Sequence, residues 1–285
     1  GKGGEIVGGI HKRNLTNILL YLVFAILAVL FLGPILWMMS LSLKTRTEIF
    51  NYPPQLLPES FGLQNFHFIL TSSQVPVYLL NSFKVASLLT VSVLLVCVPA
   101  AYAFSRFNFR GKRTLLMLVL SFQMIAPVVI VVPLYTMMDT MGLLNSHFGL
   151  VAVFVGVQVP FSVWLLKGFL DSVPKSIDES AMIDGASRWV TLTRVILPLA
   201  VPGLAATAIF NFIFGWSEFI LPAVMLTSEK LATFSVGIFT FQSGYGTAWN
   251  LIAAASVLGL LPIVALFIGF QRLFITGMTA GAVTE

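Results

Sequence analysis

Six stretches of the chain are long and apolar enough to cross a membrane, near residues 15–41, 77–104, 114–138, 149–170, 201–226 and 251–274. A hydrocarbon core of ~30 Å needs ~20 helical residues, and backbone amides left unpaired in lipid force such segments into helices. The pattern predicts an all-α, polytopic membrane protein with six transmembrane helices. The second stretch is the least clean, because Asn81, Lys84 and Pro99 interrupt it. Residues 42–76 carry Pro53, Pro54 and Pro58, residues 227–250 are rich in Gly, Ser and Thr, and residues 171–200 form a polar loop with its own pattern. The expected organisation is a polar segment over 1–14, a six-span domain over 15–275 enclosing the 171–200 loop, and a tail over 276–285.

Composition supports the same class. Of 285 residues, 58% are hydrophobic and 9% charged, with mean hydropathy +0.95. Soluble domains carry roughly 25% charged residues, so this chain has too little polar surface for a soluble globule. The distribution of its basic residues orients it, since Lys and Arg concentrate on the cytoplasmic side. With the N-terminus inside, the inner segments hold Lys2, Lys12, Arg13, Arg106, Arg110, Lys112, Arg113, Lys167, Lys175, Arg188, Arg194 and Arg272. Lys44, Arg46 and Lys230 fall outside, with Lys84 near the outer end of span two. Both termini are therefore expected in the cytoplasm. The opening GKGGEIVGG is too polar for a signal peptide.

Several chemistries find no support. Cys97 is the only cysteine, which excludes a disulfide within the chain. His11, His67 and His147 lie far apart in different loops, so neither a metal site nor a catalytic triad is indicated. No G-x-x-x-x-G-K-[ST] phosphate loop occurs, so the chain is not expected to hydrolyse ATP.

The 171–200 loop reads DSVPKSIDESAMIDGASRWVTLTRVILPL. Pro174 suits a first helical turn, and Ser176 with Glu179 matches a capping box. Val173, Ile177 and Ala181 form one apolar stripe. Gly185 permits a sharp turn, Ser187 can cap a second helix, and Pro198 marks entry to span five. The expected product is two short helices at about a right angle on the cytoplasmic face.

This loop resembles the E-A-A loop of binding-protein-dependent ABC importer permeases. The matching residues are Glu179-Ser180-Ala181, Gly185, Val195 and Leu197-Pro198, with Ser180 and Val195 replacing the usual alanine and isoleucine. The resemblance implies a type I importer fold and a coupling role for these residues and Asp184, docked in a cleft of an ATPase subunit. Glu179 as a helix cap is compatible with that role. The stretch ILWMMSLSLKTRTEIFNYPPQLLPE is similar to the carbohydrate-uptake, maltose-type permeases, and QRLFITGMTAGAVTE to the tail of their second, G-type subunit. From that likeness Gly281, Ala282 and Val283 are expected to reach the ATPase subunits, with a frayed tail as the alternative. Gln242, Gly244, Tyr245 and Gly246 are expected either to contact an external solute-binding protein or to form a flexible connection.

Ionisable groups inside a membrane are costly unless they face a partner or water. Glu218, in FIFGWSEFILP, reads as the acid inside a span, either lining a translocation path or bonded to a neighbouring span or partner permease. Asn211, two turns below it, with Gln123, Gln158 and Trp216, completes the candidate path. Amides beside aromatic rings suit a sugar's hydroxyls and flat faces. Lys84, with Asn81 and Ser82, is expected to snorkel outward.

The leading reading is a permease subunit of an ATP-driven sugar or oligosaccharide importer in the bacterial cytoplasmic membrane. It implies a heterodimer with a homologous second permease, an ATPase dimer and an extracytoplasmic binding protein. ATP and Mg2+ would belong to the ATPase subunits, with no cofactor in this chain. Alternatives are an anionic cargo, such as an acidic oligosaccharide or glycerol phosphate, and a secondary transporter. The first should place Arg or Lys in the spans, where only Lys84 offers itself. The second should show internal repeats and mid-membrane carboxylates.

Overall fold

Long apolar runs in lipid must close their backbone hydrogen bonds locally, and a computed structural model of the chain is correspondingly built from helices. It describes residues 3–59, 61–243 and 246–280, with side chains over 17–59, 61–126, 128–242 and 246–271. In chain order these are α1 (Gly3–Leu43), α2 (Gln64–Ser72), α3 (Val75–Arg106), α4 (Lys112–Ser121), α5 (Pro127–Thr140) and α6 (His147–Asp171). Next come α7 (Lys175–Ile183), α8 (Arg188–Leu199), α9 (Val201–Ser217) and α10 (Ile220–Met225). A hairpin of β1 (Gln242–Ser243) and β2 (Gly246–Thr247) precedes α11 (Trp249–Ala280).

Four spans are single helices: the Asn17–Leu43 part of α1, α3, α6 and the Trp249–Gln271 part of α11. They correspond to expected spans one, two, four and six. Within α1, the polar stretch from Gly3 continues the helix instead of preceding it.

Spans three and five are not the uninterrupted helices expected. The third, read as 114–138, breaks between Met124 and Val128 with a bend of 98°. Pro127 opens α5, and the residue before a proline is pushed out of the helical region, so Ala126 is extended at φ −62° and ψ 133°. The fifth, read as 201–226, ends its first helix at Ser217. Seventeen residues rise only about 25 Å, short of the ~30 Å core. Pro222 has no N–H for the carbonyl of Glu218, so the helix cannot run through. Ser235 Oγ donates to that carbonyl instead, at 2.6 Å.

The chain divides into two compact units. In the unit of Ser73–Thr240 and the residues from Gly259, α3, α6 and α9 pack on one another. Leu89, Val93, Cys97, Phe154 and Leu166 are buried among them. The α3–α9 approach is close because both helices present small residues: a Cβ on Gly215 would stand 3.0 Å from Ala86 Cα. Asn81 and Ser82, expected to accompany a snorkelling Lys84, instead anchor a loop. Asn81 Nδ2 donates to the carbonyls of Lys230 and Ala232, and Ser82 Oγ accepts from Phe234 N.

The other unit joins the residues up to Ser72 with Phe241–Leu258. Asn65 Nδ2 donates to the carbonyls of Ser42 and Lys44 and accepts, through Oδ1, from Asn250 Nδ2 at 2.8 Å. Lys44 is buried, and its Nζ donates to the Gln55 carbonyl and lies 4.9 Å from the Trp37 ring centre.

Glu48 organises the segment after α1, accepting from Thr45 N at 2.5 Å and from Glu59 N at 3.1 Å. Bonds from the Thr45 amide and hydroxyl, and then the Glu59 amide, hold its carboxyl below the usual carboxylate range. A depressed folded-state pKa contributes order that is present above the unfolded value of ~4.3 and lost as pH falls through the folded value. Hydrogen exchange over residues 45–59, corrected for intrinsic rates, should therefore stay flat from pH 7 to 5 and rise only in stronger acid. A rise already near pH 6 would contradict this role.

Candidate functional site

The polar loop folds into a helical hairpin that presents one face to solvent. Pro174, extended at ψ 134°, occupies the N-cap of α7, and no side chain caps the helix. The expected capping box of Ser176 and Glu179 is therefore absent. With Lys175 already in the first turn, Ser176 lies inside the helix, where its carbonyl accepts from Ser180 Oγ at 2.9 Å. Glu179 is released from capping and stands exposed, as do Ser180, Asp184 and Gly185. Val173 and Ile177 of the apolar stripe turn inward on the core.

α7 ends in a Schellman turn. Ala186 N donates to the Ala181 carbonyl at 3.0 Å and Gly185 N to that of Met182 at 3.1 Å, while Gly185 takes φ +85°. Ser187 then caps α8, its Oγ accepting from Val190 N at 3.3 Å. Within α8, residues Thr191–Ile196 widen into a π-helical turn, with Leu197 N reaching the Leu192 carbonyl. Pro198 follows, lacking the N–H that would close the next α-helical bond. α8 and α9 then diverge by 80° at Ala200. Ser180, Ala181, Asp184 and Val195, with Ser176 and Ile177, line a shallow concavity of about 340 Å³ between the two arms. Beside it Met182, Ile183 and Trp189 expose apolar surface, Ile183 by 86%.

The hairpin's inner side is fastened to α3. Tyr102, Ser105 and Arg106 share one face of that helix at i, i+3 and i+4. Tyr102 Oη donates to Asp178 Oδ1 at 2.9 Å, and Arg106 Nε stands 3.0 Å from Asp178 Oδ2 as an ion pair off the line of a hydrogen bond. Arg106 Nη2 donates to the Val173 carbonyl at 3.0 Å, and Ser105 Oγ to Asp171 Oδ1 at 2.7 Å. The second arm is held too, with the Arg188 guanidinium 4.6 Å over the Phe107 ring.

The candidate path residues are divided by the fold. Gln123 and Gln158 come together in a cavity of about 720 Å³ between the α4–α5 break and α6, with Phe122, Pro133, Met137 and Phe214. Gln123 Nε2 donates to the Val157 carbonyl at 2.9 Å. The described lining carries no charged side chain. Asn211 and Trp216 lie outside this cavity. Asn211 is fully buried, donating to Ser162 Oγ and the Thr207 carbonyl. Trp216 stacks on Phe212 and gives its Nε1–H to the Gly259 carbonyl at 3.1 Å. Glu218 sits on the break after α9 and caps α10, its Oε1 accepting from Ile220 N at 3.0 Å. His147, set aside as a metal ligand, bonds the Leu231 carbonyl through Nε2. In the hairpin of the other unit, Gln242 faces Thr247 and Ser243 faces Gly246. Gly244 and Tyr245, and the tail residues Gly281, Ala282 and Val283, lie outside the described residues.

Residues 94–280 match the family described as binding-protein-dependent transport system inner membrane component. The chain belongs to this family. The match contains α7, the Gly185 turn and α8. Among similar proteins is the trehalose/maltose transport system permease protein MalG of Thermococcus litoralis, 35% identical over 95% of this chain and 98% of that protein. The sulfoquinovosyl glycerol transport system permease protein SmoH of Agrobacterium fabrum is 33% identical over 92% of each chain. The diacetylchitobiose uptake system permease protein DasC of Streptomyces coelicolor is 33% identical over 90% of this chain and 94% of that protein. A chain in the crystal structure of a bacterial ABC transporter that imports the acidic polysaccharide alginate shares the fold at TM-score 0.79. It is 22% identical, covering 92% of this chain and 98% of that one. The protein is thus an inner-membrane permease of the type I importer fold, a transport component and not an enzyme.

In this permease, sequence reasoning overlooked Asp178 and its partners. Arg106 counted only toward the inside charge, and Asp178 passed unnoticed beside Glu179. A weak signal existed, because Asp178 adjoins the Val173–Ile177–Ala181 stripe and so borders a buried face. A carboxylate there needs a cation. Nothing local identifies which one.

Proposed function

We propose that this chain is one of two non-identical permease subunits of an ATP-driven importer for a neutral sugar or oligosaccharide. A separate ATPase dimer, which holds the ATP and Mg2+, docks on the α7–α8 hairpin. Its closure moves the spans between inward-facing and outward-facing states. Both termini and the hairpin lie in the cytoplasm, and the α10–α11 region meets a binding protein on the other side through Gln242, Gly244, Tyr245 and Gly246. Glu179, Ser180, Ala181, Asp184, Gly185, Val195, Leu197 and Pro198 form the coupling segment. Gln123, Gln158 and Glu218 are the path residues; the shared cavity supports the first two. The tail at Gly281, Ala282 and Val283 reaches the ATPase.

The observation that carries the proposal is the hairpin, with one side fixed to α3 and the other offering Glu179, Ile183 and Trp189 to a partner. The sugar class draws on relatives named for trehalose/maltose and diacetylchitobiose transport. An uncharged cavity with two amides and aromatic rings favours neutral cargo over acidic.

The test is ATP hydrolysis by the chain co-purified with its partner permease and ATPase. Binding protein with maltose, trehalose or diacetylchitobiose should raise the rate several-fold, and an alginate oligosaccharide should not. A co-purified complex without ATPase activity, or uptake by this chain alone, would overturn the assignment.

A further inference from the structure

We propose that Tyr102, Arg106 and Asp178 are positioning residues that lock the α7–α8 hairpin to α3, so that force applied at the hairpin is delivered to the bundle without slack. The inference rests on the proposed docking of a motor at this hairpin.

Two adjacent residues of α7 fall on either side of its burial boundary. Glu179 is exposed and has no bonded partner among the described residues, whereas Asp178 is only 5% exposed. One short helix thus carries a docking side and a fastened side. The fastening is specific: both Asp178 oxygens are engaged by α3, one by the Tyr102 hydroxyl and one by the Arg106 charge. Arg106 also holds the Val173 carbonyl. It therefore grips both α7 and the turn that leads into it. Arg188 over Phe107 ties the second arm just beyond the same end of α3.

Without these ties, a nine-residue helix flanked by a short turn and the Gly185 turn could rock under load. The core behind them would stay still. Buried charge pairs are weak general stabilisers, and their best-attested value is to specify one arrangement over others. A joint that must transmit displacement needs that property. α3 is also the helix against which α6 and α9 pack, so motion passed to α3 reaches the centre of the unit.

The experiment uses the complete complex with partner permease, ATPase and binding protein in nanodiscs. Spin labels go on exposed positions 108 and 175, as Asn108→Cys and Lys175→Cys in a Cys97→Ser background. With the joint intact, the interspin distance should be narrow and equal in the ATP-free and ATP–vanadate states. Asp178→Asn should broaden it and cut the ratio of stimulated to basal ATPase by about tenfold, within the usual range of coupling between sites. Asp178→Glu, which keeps the charge, should retain more of that ratio. Tyr102→Phe, which removes one hydroxyl, should lower it less, and it decides the question if Asp178→Asn fails to assemble. Unchanged distances and ratio in assembled variants overturn the joint. A lower yield with normal ATPase ratio per complex also overturns it, because that is what a purely structural role would give. Lack of ATPase in the unmutated complex instead overturns the transporter reading.

Discussion

Arg106→Ala should lower the stability of this permease by about 3–5 kcal/mol, the range found when one partner of a buried ion pair is removed. The reason is what remains. Asp178 would keep the Tyr102 hydroxyl and lose its paired cation, and the Val173 carbonyl would lose its donor. At 6–7% side-chain exposure, neither charge of the pair is rescued by bulk water. For a domain of this size, the loss corresponds to a fall in melting temperature of roughly 10 °C, read by fluorescence-detected size exclusion in detergent. The double variant Arg106→Met with Asp178→Leu should recover only part of it: apolar side chains remove both charge-desolvation costs together, while the Tyr102 hydroxyl and the Val173 carbonyl stay without their partners. An Arg106→Ala variant that melts normally would mean that the pair is not buried as described.

Gly185→Val should disable transport with little effect on the six spans. Gly185 has φ +85°, a region that costs an L-residue about 1–2 kcal/mol and a β-branched one more. Space is not the obstacle, since a Cβ there would meet nothing within 4 Å. The penalty falls on the Schellman turn itself, and so on the angle between α7 and α8. A shift of that size changes the population of the native hairpin by about 5–30-fold. Uptake per ATP in proteoliposomes should drop accordingly, or the ATPase should fail to co-purify. Gly185→Asn should be milder, because Asn tolerates the left-handed region. Normal uptake by the Val variant would remove the turn from the coupling mechanism.

The contrast between these two sites shows what a sequence can disclose. The Gly185 turn, the Ser187 cap and the Val173–Ile177 stripe depend on neighbours within a few positions, so their chemistry is written locally. The capping box failed at the same range, because Ser176 and Glu179 satisfy the motif while the N-cap at Pro174 starts the helix two residues too early for it. The breaks in spans three and five were also encoded locally, at Pro127 and Pro222. A hydropathy window averages across a proline and reports only that the stretch is apolar.

The candidate path was less legible. Gln123, Gln158, Asn211 and Trp216 look alike in sequence, as polar or amphipathic residues in apolar runs. Gln123 and Gln158 share a cavity only because α4 and α5 bend at 98° and open a space beside α6. Asn211 and Trp216 turn instead into contacts with Ser162 and Gly259, set by how α9 is rotated against its neighbours.

By itself, the sequence determined the number and length of apolar segments, their helical form and the place of the polar hairpin between two of them. Each follows from the free energy of placing backbone and side chains in lipid, which depends on composition and short-range order. Only the tertiary structure decided that Asp178 meets Tyr102 and Arg106, at a sequence separation of 76 for Tyr102. A carboxylate's need for a cation is local chemistry. Which cation answers it depends on how α3 and α6 pack, and that is a property of the whole bundle.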